Sequence, residues 1–272
     1  MALTHFISTV WSETMSSQMD KKYIAVANCN RDFEGDIKNR GDRVKICGVG
    51  DINVFDYTKN ADFDNAAQEL TSSLKTLVID QAKAFNFQID DIDRAQSNPK
   101  LMDAAVKNAA AALANTADQY IFSLCSKAGS NIAANASVDN IIDLIIDART
   151  KLLENNVCDP GDIVVEVSPA VGALILKNKI NISNSDTALE TGCIGYVAGC
   201  KVFVSNNVVV ADNVHKCIAR SKRAIAFAEQ LSEVDAYRPE RRFADAVKGL
   251  HLYGAQVIYP SEMVRLDLTV AA

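Results

Sequence analysis

Apolar and polar positions change rhythm several times along the chain, and each rhythm predicts an element. Phe6, Ile7, Val10, Trp11 and Met15 recur at three- and four-residue steps, the spacing of one helix face. That stripe needs a cover, supplied either by its own domain or by a neighbouring subunit on which the helix lies as an arm. The rhythm then disappears in "NRDFEGDIKNRGDRVKICGVGDINVFDYTKN", which mixes both signs of charge with Gly35, Gly41, Gly48 and Gly50. Only Arg43-Val44-Lys45-Ile46-Cys47 alternates there, predicting a strand entered through a Gly41-Asp42 turn. The stretch reads as a long two-stranded loop. It holds few large apolar side chains, and an isolated hairpin is marginal in water, so it must lean on something else.

Alternation returns in "TLVIDQAKAFNFQIDD", where Leu77, Ile79, Phe85, Phe87 and Ile89 mark strand material with one buried face. Ser97 or Asn98 as cap, Pro99 in the first turn and "KLMDAAVKNAAAALANTADQYIFSLCSK" then predict a helix. Uninterrupted, it would run about 28 residues, roughly 40 Å. The small polar stretch "AGSNIAANAS" reads as a linker. A second helix follows from Ile141, Ile142, Leu144, Ile145, Ala148, Leu152 and Leu153, ending near Asn155-Asn156. Pro160-Gly161 turns the chain into "DIVVEV", apolar enough for a central strand, and Ser168-Pro169 caps a third helix, "AVGALILKNK". Strand, cap and helix together predict an α/β module.

Beyond it, "CKVFVSNNVVV", "HKCIARS" and "AIAFAEQ" predict three further short strands. The tail "FADAVKGLHLYGAQVIYPSEMVRLDLTV" predicts two or three more, with breaks at Gly249, Gly254 and Pro260. The polar "VDAYRPERRF" reads as the return from one module to the other.

A chain of 272 residues has room for one large domain or two modest ones. With 49% hydrophobic and 23% charged residues it has ordinary globular composition. A formal charge of −6 argues against tight, sequence-reading nucleic-acid binding and leaves room only for weak contact. Seven cysteines, an odd number without paired spacing, fit free thiols in a reducing cytoplasm better than a disulfide framework. The start "MALTHFISTVWSETM" lacks the basic and apolar regions of a secretion signal. No apolar run reaches the ~18 residues of a membrane span, so no membrane is expected as a partner.

Candidate chemistry is sparse. In "TGCIGYVAGCKVFVSNNV" the glycines Gly192, Gly195 and Gly199 are spaced G-x-x-G-x-x-x-G and lead into a strand. A dinucleotide loop requires G-x-G-x-x-G before a helix, and a Walker loop requires a following G-K-[ST]. Cys193, Cys200, His215 and Cys217 lack the close C-x-x-C pairing that eases closure of a structural zinc site. They read as small buried side chains and one surface histidine. No G-x-S-x-G or H-E-x-x-H occurs. Asp80, Asp90, Asp91 and Asp93 form a carboxylate cluster that reads first as a solvated turn, and Arg238, Arg241 and Arg242 suit phosphate or inter-subunit ion pairs equally.

Taken in order, "HFISTVWSETM", "NCNRDFEGDIKNRGDRVKI", "QIDDID" before the alanine-rich helix, "VVEVSPAV" and "GYVAGCKVFVSNNV" resemble the major capsid protein of tailed bacteriophages. Each motif is weak alone, while the ordered set is specific and spans nearly the whole chain. The resemblance implies an α+β fold of the Hong Kong 97 type. Residues 1–29 would be an N-terminal arm and 30–65 an extended β-hairpin loop overlapping a neighbour. Residues 66–137 with 233–272 would form a peripheral domain around a long spine helix, and 138–232 an axial α/β domain. In that picture the glycine loop is a bend in the axial wall.

The implied function is self-assembly into the icosahedral head shell enclosing phage double-stranded DNA, with the protein located in the virion and assembled in the bacterial host cytoplasm. Implied partners are copies of itself as pentamers and hexamers, with room for a separate scaffolding protein, a portal and decoration proteins, and weak non-specific contact with packaged DNA. Neither catalytic, cofactor-binding nor metal residues are expected. Candidate inter-subunit contacts are Phe6 and Trp11 in the arm, Arg31, Asp32, Glu34, Asp36, Lys38, Arg40, Arg43 and Lys45 in the loop, and Arg238, Arg241 and Arg242. Exposed ion pairs give only ~0–1 kcal/mol each, so a shell must draw its strength from many repeated contacts. No long charged helical segment stands ahead of the arm, which points to a separate scaffold or none. Two other readings are a nanocompartment shell around enzyme cargo and a soluble α/β enzyme using Asp90-Asp91-Asp93 or the three arginines.

Overall fold

A computed structural model describes residues 15, 18–19, 22–33, 42–49, 59, 72–90, 101–157, 159–178, 193–240 and 243–270. In chain order its strands are β1 (Arg43–Val49), β2 (Ser72–Val78), β3 (Gln81–Asp90), β4 (Ser130–Ala136), β5 (Ile163–Val167), β6 (Cys193–Val197), β7 (Cys200–Val204), β8 (Val210–Ala211), β9 (Val214–Ser221), β10 (Ile225–Tyr237), β11 (Ala244–Val257) and β12 (Met263–Val270). The helices are α1 (Leu101–Ser123), α2 (Ile141–Glu154) and α3 (Pro169–Lys177).

The strands fall into an antiparallel β1–β2 pair, a three-stranded sheet ordered β10-β11-β3, and a seven-stranded sheet ordered β4-β12-β9-β5-β7-β6 with β8 beside β9. In the large sheet β12–β4 and β5–β7 are parallel and the other pairs antiparallel, which makes the fold mixed α+β. Every residue of β5 is buried, as its apolar run predicts for a strand covered on both faces. α1 turns Val106, Ala110, Leu113, Ala114, Ala117 and Ile121 inward, a helical stripe whose alanines allow close approach. α2 buries Ile141, Ile145, Ala148 and Leu152 in the same way. Ser168 caps α3 by accepting from the Val171 N–H at 3.4 Å, with Pro169 in the first turn.

Several sequence-based expectations change. "AGSNIAANAS" is not a linker, because its residues 130–136 form edge strand β4 paired parallel to β12. Its side chains are short and polar because one sheet face there is open. Gly249 and Gly254 do not break the tail, since both lie inside the continuous β11. They are points of close approach: a Cβ on Gly249 would stand 2.3 Å from the Phe85 ring, and one on Gly254 would stand 2.2 Å from the Val78 carbonyl oxygen. The start of "VDAYRPERRF" is the end of β10, so this stretch joins two strands of one sheet instead of two modules. β10 begins at Ile225, ahead of the expected boundary at 232, and β12 lies in the seven-stranded sheet, although it was expected among the peripheral strands.

Of the loop glycines, Gly199 lies in the tight turn of the β6–β7 hairpin, Gly195 lies within β6, and Gly192 lies outside the described residues. Ala198 and Gly199 have φ of 50° and 80°, the left-handed pair of a two-residue turn matched to strand twist. The turn carries the chain from one sheet strand into the next.

Candidate subunit interface

The β1–β2 hairpin has two unlike faces. Val44, Ile46 and Leu77 point inward, where with Ile79 they pack on Ala226, Ala228, Leu252 and Ile258 of the same chain. The base of the loop therefore leans on its own three-stranded sheet. Register sets Arg43 opposite Val78, Lys45 opposite Thr76 and Cys47 opposite Leu74. Arg43, Lys45, Leu74 and Val78 are exposed, so the outer face offers two cations beside bare aliphatic surface. Leu74 is 56% exposed, which a lone soluble hairpin gains nothing from.

The other candidate contacts divide. Phe6, Trp11, Glu34, Asp36, Lys38, Arg40, Arg241 and Arg242 lie outside the described residues. Arg31 reaches Glu229 of its own chain at 2.6 Å, and Asp32 is exposed, its N–H bonded to the Asn30 side-chain oxygen at 2.9 Å. Arg238 stands 3.5 Å from Asp245 across the β10–β11 hairpin, near Phe243, whose ring is 85% exposed.

Sequence reading missed the buried polar groups that hold residues 23–31 as a strap. Asp118, 1% exposed in the C-terminal part of α1, accepts from the N–H groups of Ile24, Ala25 and Val26 at 3.0 to 3.1 Å. Burial pushes its carboxyl up to about 6, against the pull of those three donors. From the seven-stranded sheet, Arg220 donates to the carbonyls of Asn28 at 2.7 Å and Ala25 at 2.9 Å, and to Glu166. Burial opposes the Arg220 charge, but Cys29 and Glu166 beside it outweigh burial and raise its pKa. Glu166 also accepts from the Asn28 side chain at 3.2 Å. From the three-stranded sheet, Glu229 receives the Tyr23 hydroxyl, Arg31 and the buried His251, whose Nε2 is 2.8 Å away. The signal available was Glu166 itself, a lone charge inside "IVVEV", which a central strand tolerates only when paired.

The described part of the arm follows the strap into its own core, with Met15 and Met19 buried. A cleft of about 320 Å³ opens beside the strap, lined by Cys29, Arg31, Asp159, Asp162, Lys222 and Arg223 among others. Burial pushes the Cys29 thiol up to about 11 and the Cys217 thiol up to about 12, so neither is a nucleophile near neutrality. Among the described residues no cluster of His, Cys, Asp and Glu converges as a metal set, and no helix is long and apolar enough to cross a membrane. Of the carboxylates considered for acid–base work, Asp80 accepts from Tyr120 at 3.1 Å, Asp90 ends β3, and Asp91 and Asp93 lie outside the described residues.

The phage capsid protein family matches residues 73–266. The fold is similar to a structure from Mycobacterium phage Che8, with 29% identity, a TM-score of 0.70 and coverage of 90% of each chain. It is similar to the capsid of Cyanophage P-SCSP1u, with 14% identity, a TM-score of 0.66 and coverage of 89% of this chain and 86% of that one. It is also similar to a virus-like particle from Pyrococcus furiosus, with 12% identity, a TM-score of 0.57 and coverage of 94% and 98%. At such identities the last two speak for the fold alone. No curated protein matches the chain.

Proposed function

We propose, from the premise that this chain belongs to the phage capsid protein family, that its copies close into an icosahedral head around double-stranded DNA. The chain is a major capsid protein, a shell-forming virion component with the Hong Kong 97-type fold. The observation in the molecule that carries the assembly reading is the two-faced β1–β2 hairpin. Its inner face is satisfied by its own chain, while Arg43, Lys45, Leu74 and Val78 stand outward and exposed.

In this reading the outer hairpin face lies against a second copy, and the unlike surfaces meet head to tail in rings of five and six. The seven-stranded sheet with α2 and α3 is the axial unit, and the three-stranded sheet with α1 is the peripheral unit. The net charge of −6 suits a container that encloses DNA without clamping it, since many phosphate contacts by lysine and arginine would bind the genome tightly. The protein acts without catalysis. Assembly in the host cytoplasm, with a scaffolding protein, portal and decoration proteins as further partners, completes the proposal.

A shell around enzyme cargo is the second reading, compatible with the same fold, which the Pyrococcus furiosus virus-like particle shares. The two separate by content: nuclease-protected DNA supports a head, and co-purifying protein cargo supports a compartment. Size-exclusion chromatography with light scattering, with and without a scaffold encoded beside the gene, tests assembly itself. A strictly monomeric chain under every condition contradicts it.

A further inference from the structure

The two faces of the seven-stranded sheet are covered to different extents. α2 and α3 lie on the face that carries Leu266, Cys217, Val165 and Val202, with Gly172 of α3 set against Val204. The opposite face carries Glu166 and Arg220, and there the strap and residues 124–127 pack over the middle. At the β4–β12 end of that second face, register places Ala133, Asp267 and Lys216 in one row and Asn135, Thr269 and Val214 in the next. Asn131, Ala133 and Asn135 are exposed, and the short side chains here floor an open hollow of about 480 Å³.

α3 has the converse mismatch. Its nine residues hold a single charge, Lys177, and a helix apolar on every side belongs in an interior. Yet Pro169, Ala170, Ala173 and Leu176 are exposed, Leu176 by 56%. The Asn178 side chain donates to the Val138 carbonyl, which sets the end of α3 beside the start of α2, where Asp143, Ile146 and Asp147 are also exposed.

These two surfaces complement each other in shape and in charge. Leu176 protrudes, and the hollow has a floor of small residues. Near Leu176 the carboxylates of Asp143 and Asp147 outnumber the ammonium of Lys177, whereas at the hollow Lys216 and Arg265 outnumber Asp267. Both surfaces belong to every copy but lie on opposite faces of one sheet, so they can meet only head to tail, and such contacts close into rings.

We propose that α2 and α3 of one copy dock, Leu176 foremost, into the hollow at the β4–β12 end of the next copy. Each sheet then gains from its neighbour the helical layer that this end of its second face lacks. The inference rests on the reading of the chain as a subunit of five- and six-membered rings, and it names a contact distinct from the hairpin.

Cross-linking of assembled shells tests it, with the double variant Leu176→Cys/Ala133→Cys, a short bismaleimide and a denaturing gel. The contact predicts a ladder of joined chains ending at five and six copies, with no such ladder from the native chain or from either single variant. Shells without a ladder overturn the contact and leave the shell itself standing, while a native chain that forms no shells overturns both. Dimers from Leu176→Cys alone overturn it as well, because like surfaces would then meet. Leu176→Asp serves if the double variant does not assemble. The site is exposed, so the isolated L176D chain should melt as the native one does, and its assembly, followed by light scattering, should slow about tenfold or more. Assembly of L176D at the native rate overturns the proposal.

Discussion

Arg220 and Glu166 meet as a fully buried ion pair, with Nη2 to Oε1 at 2.8 Å and Nε to Oε2 at 3.1 Å. Neither is completed by the other, because Arg220 also serves the carbonyls of Ala25 and Asn28. Replacing only Arg220 by Met leaves the Glu166 carboxylate buried and is expected to destabilise the chain by about 3–5 kcal/mol. The double replacement R220M/E166L removes both charges but orphans the strap carbonyls, and should retain a loss of about 1–3 kcal/mol. Urea unfolding of the unassembled proteins should therefore rank native above double above single variant. A double variant as stable as the native chain would show that the strap does not need Arg220.

Two glycines predict unequal outcomes for one added methyl. Gly249→Ala meets the ring of Phe85, a side chain that can shift, and is expected to destabilise by about 1–3 kcal/mol, with partial recovery in G249A/F85L. Gly254→Ala meets the Val78 carbonyl, which is backbone and cannot turn aside, so it should be worse and unrescued by trimming any side chain. Thermal melts of the three proteins decide this.

Asp118 links strap docking to pH. Its carboxyl is held at about 6 by burial, above the ordinary aspartate range near 4, so the folded chain binds this proton more tightly than the unfolded chain. Its contribution to stability is complete below about pH 4 and is lost as the pH rises through about 6. Relative to Asp118→Asn, the native chain should lose on the order of 2 kcal/mol between those limits, read from urea midpoints at several pH values. A constant difference between the two proteins would place the titration elsewhere.

Reversing charge at Arg43 and Lys45 separates folding from assembly. Both are exposed on the outer hairpin face, so R43E/K45E should change the stability of the isolated chain by no more than about 0.5 kcal/mol. Light scattering should show assembly slowed or abolished at low salt, because like charges would then meet at the contact. Normal assembly of this variant would move the interface to another surface.

Much of the architecture could be read locally. α1 follows from an alanine-rich run without glycine or proline, α3 from Ser168-Pro169, and β5 from an unbroken apolar stretch. Arg43 and Lys45 could be read as outward because they alternate with Val44 and Ile46. What could not be read is pairing across distance. β4 looked like a linker because its character comes from β12, more than a hundred residues later. Gly249 and Gly254 looked like breaks because the groups that require them, Phe85 and Val78, belong to other strands. Arg31 reads as a free surface cation until Glu229 is brought to it, and nothing adjacent in the chain announces that partner.

The central claim is that this chain builds a closed container. Electron microscopy of the particles formed when it is expressed, with its scaffold if one is encoded nearby, measures that directly. The account predicts icosahedral shells in whose density the Arg43–Lys45 face of each hairpin rests on a neighbouring copy. Particles that never close, or a closed shell with that face turned to open solvent, would contradict it.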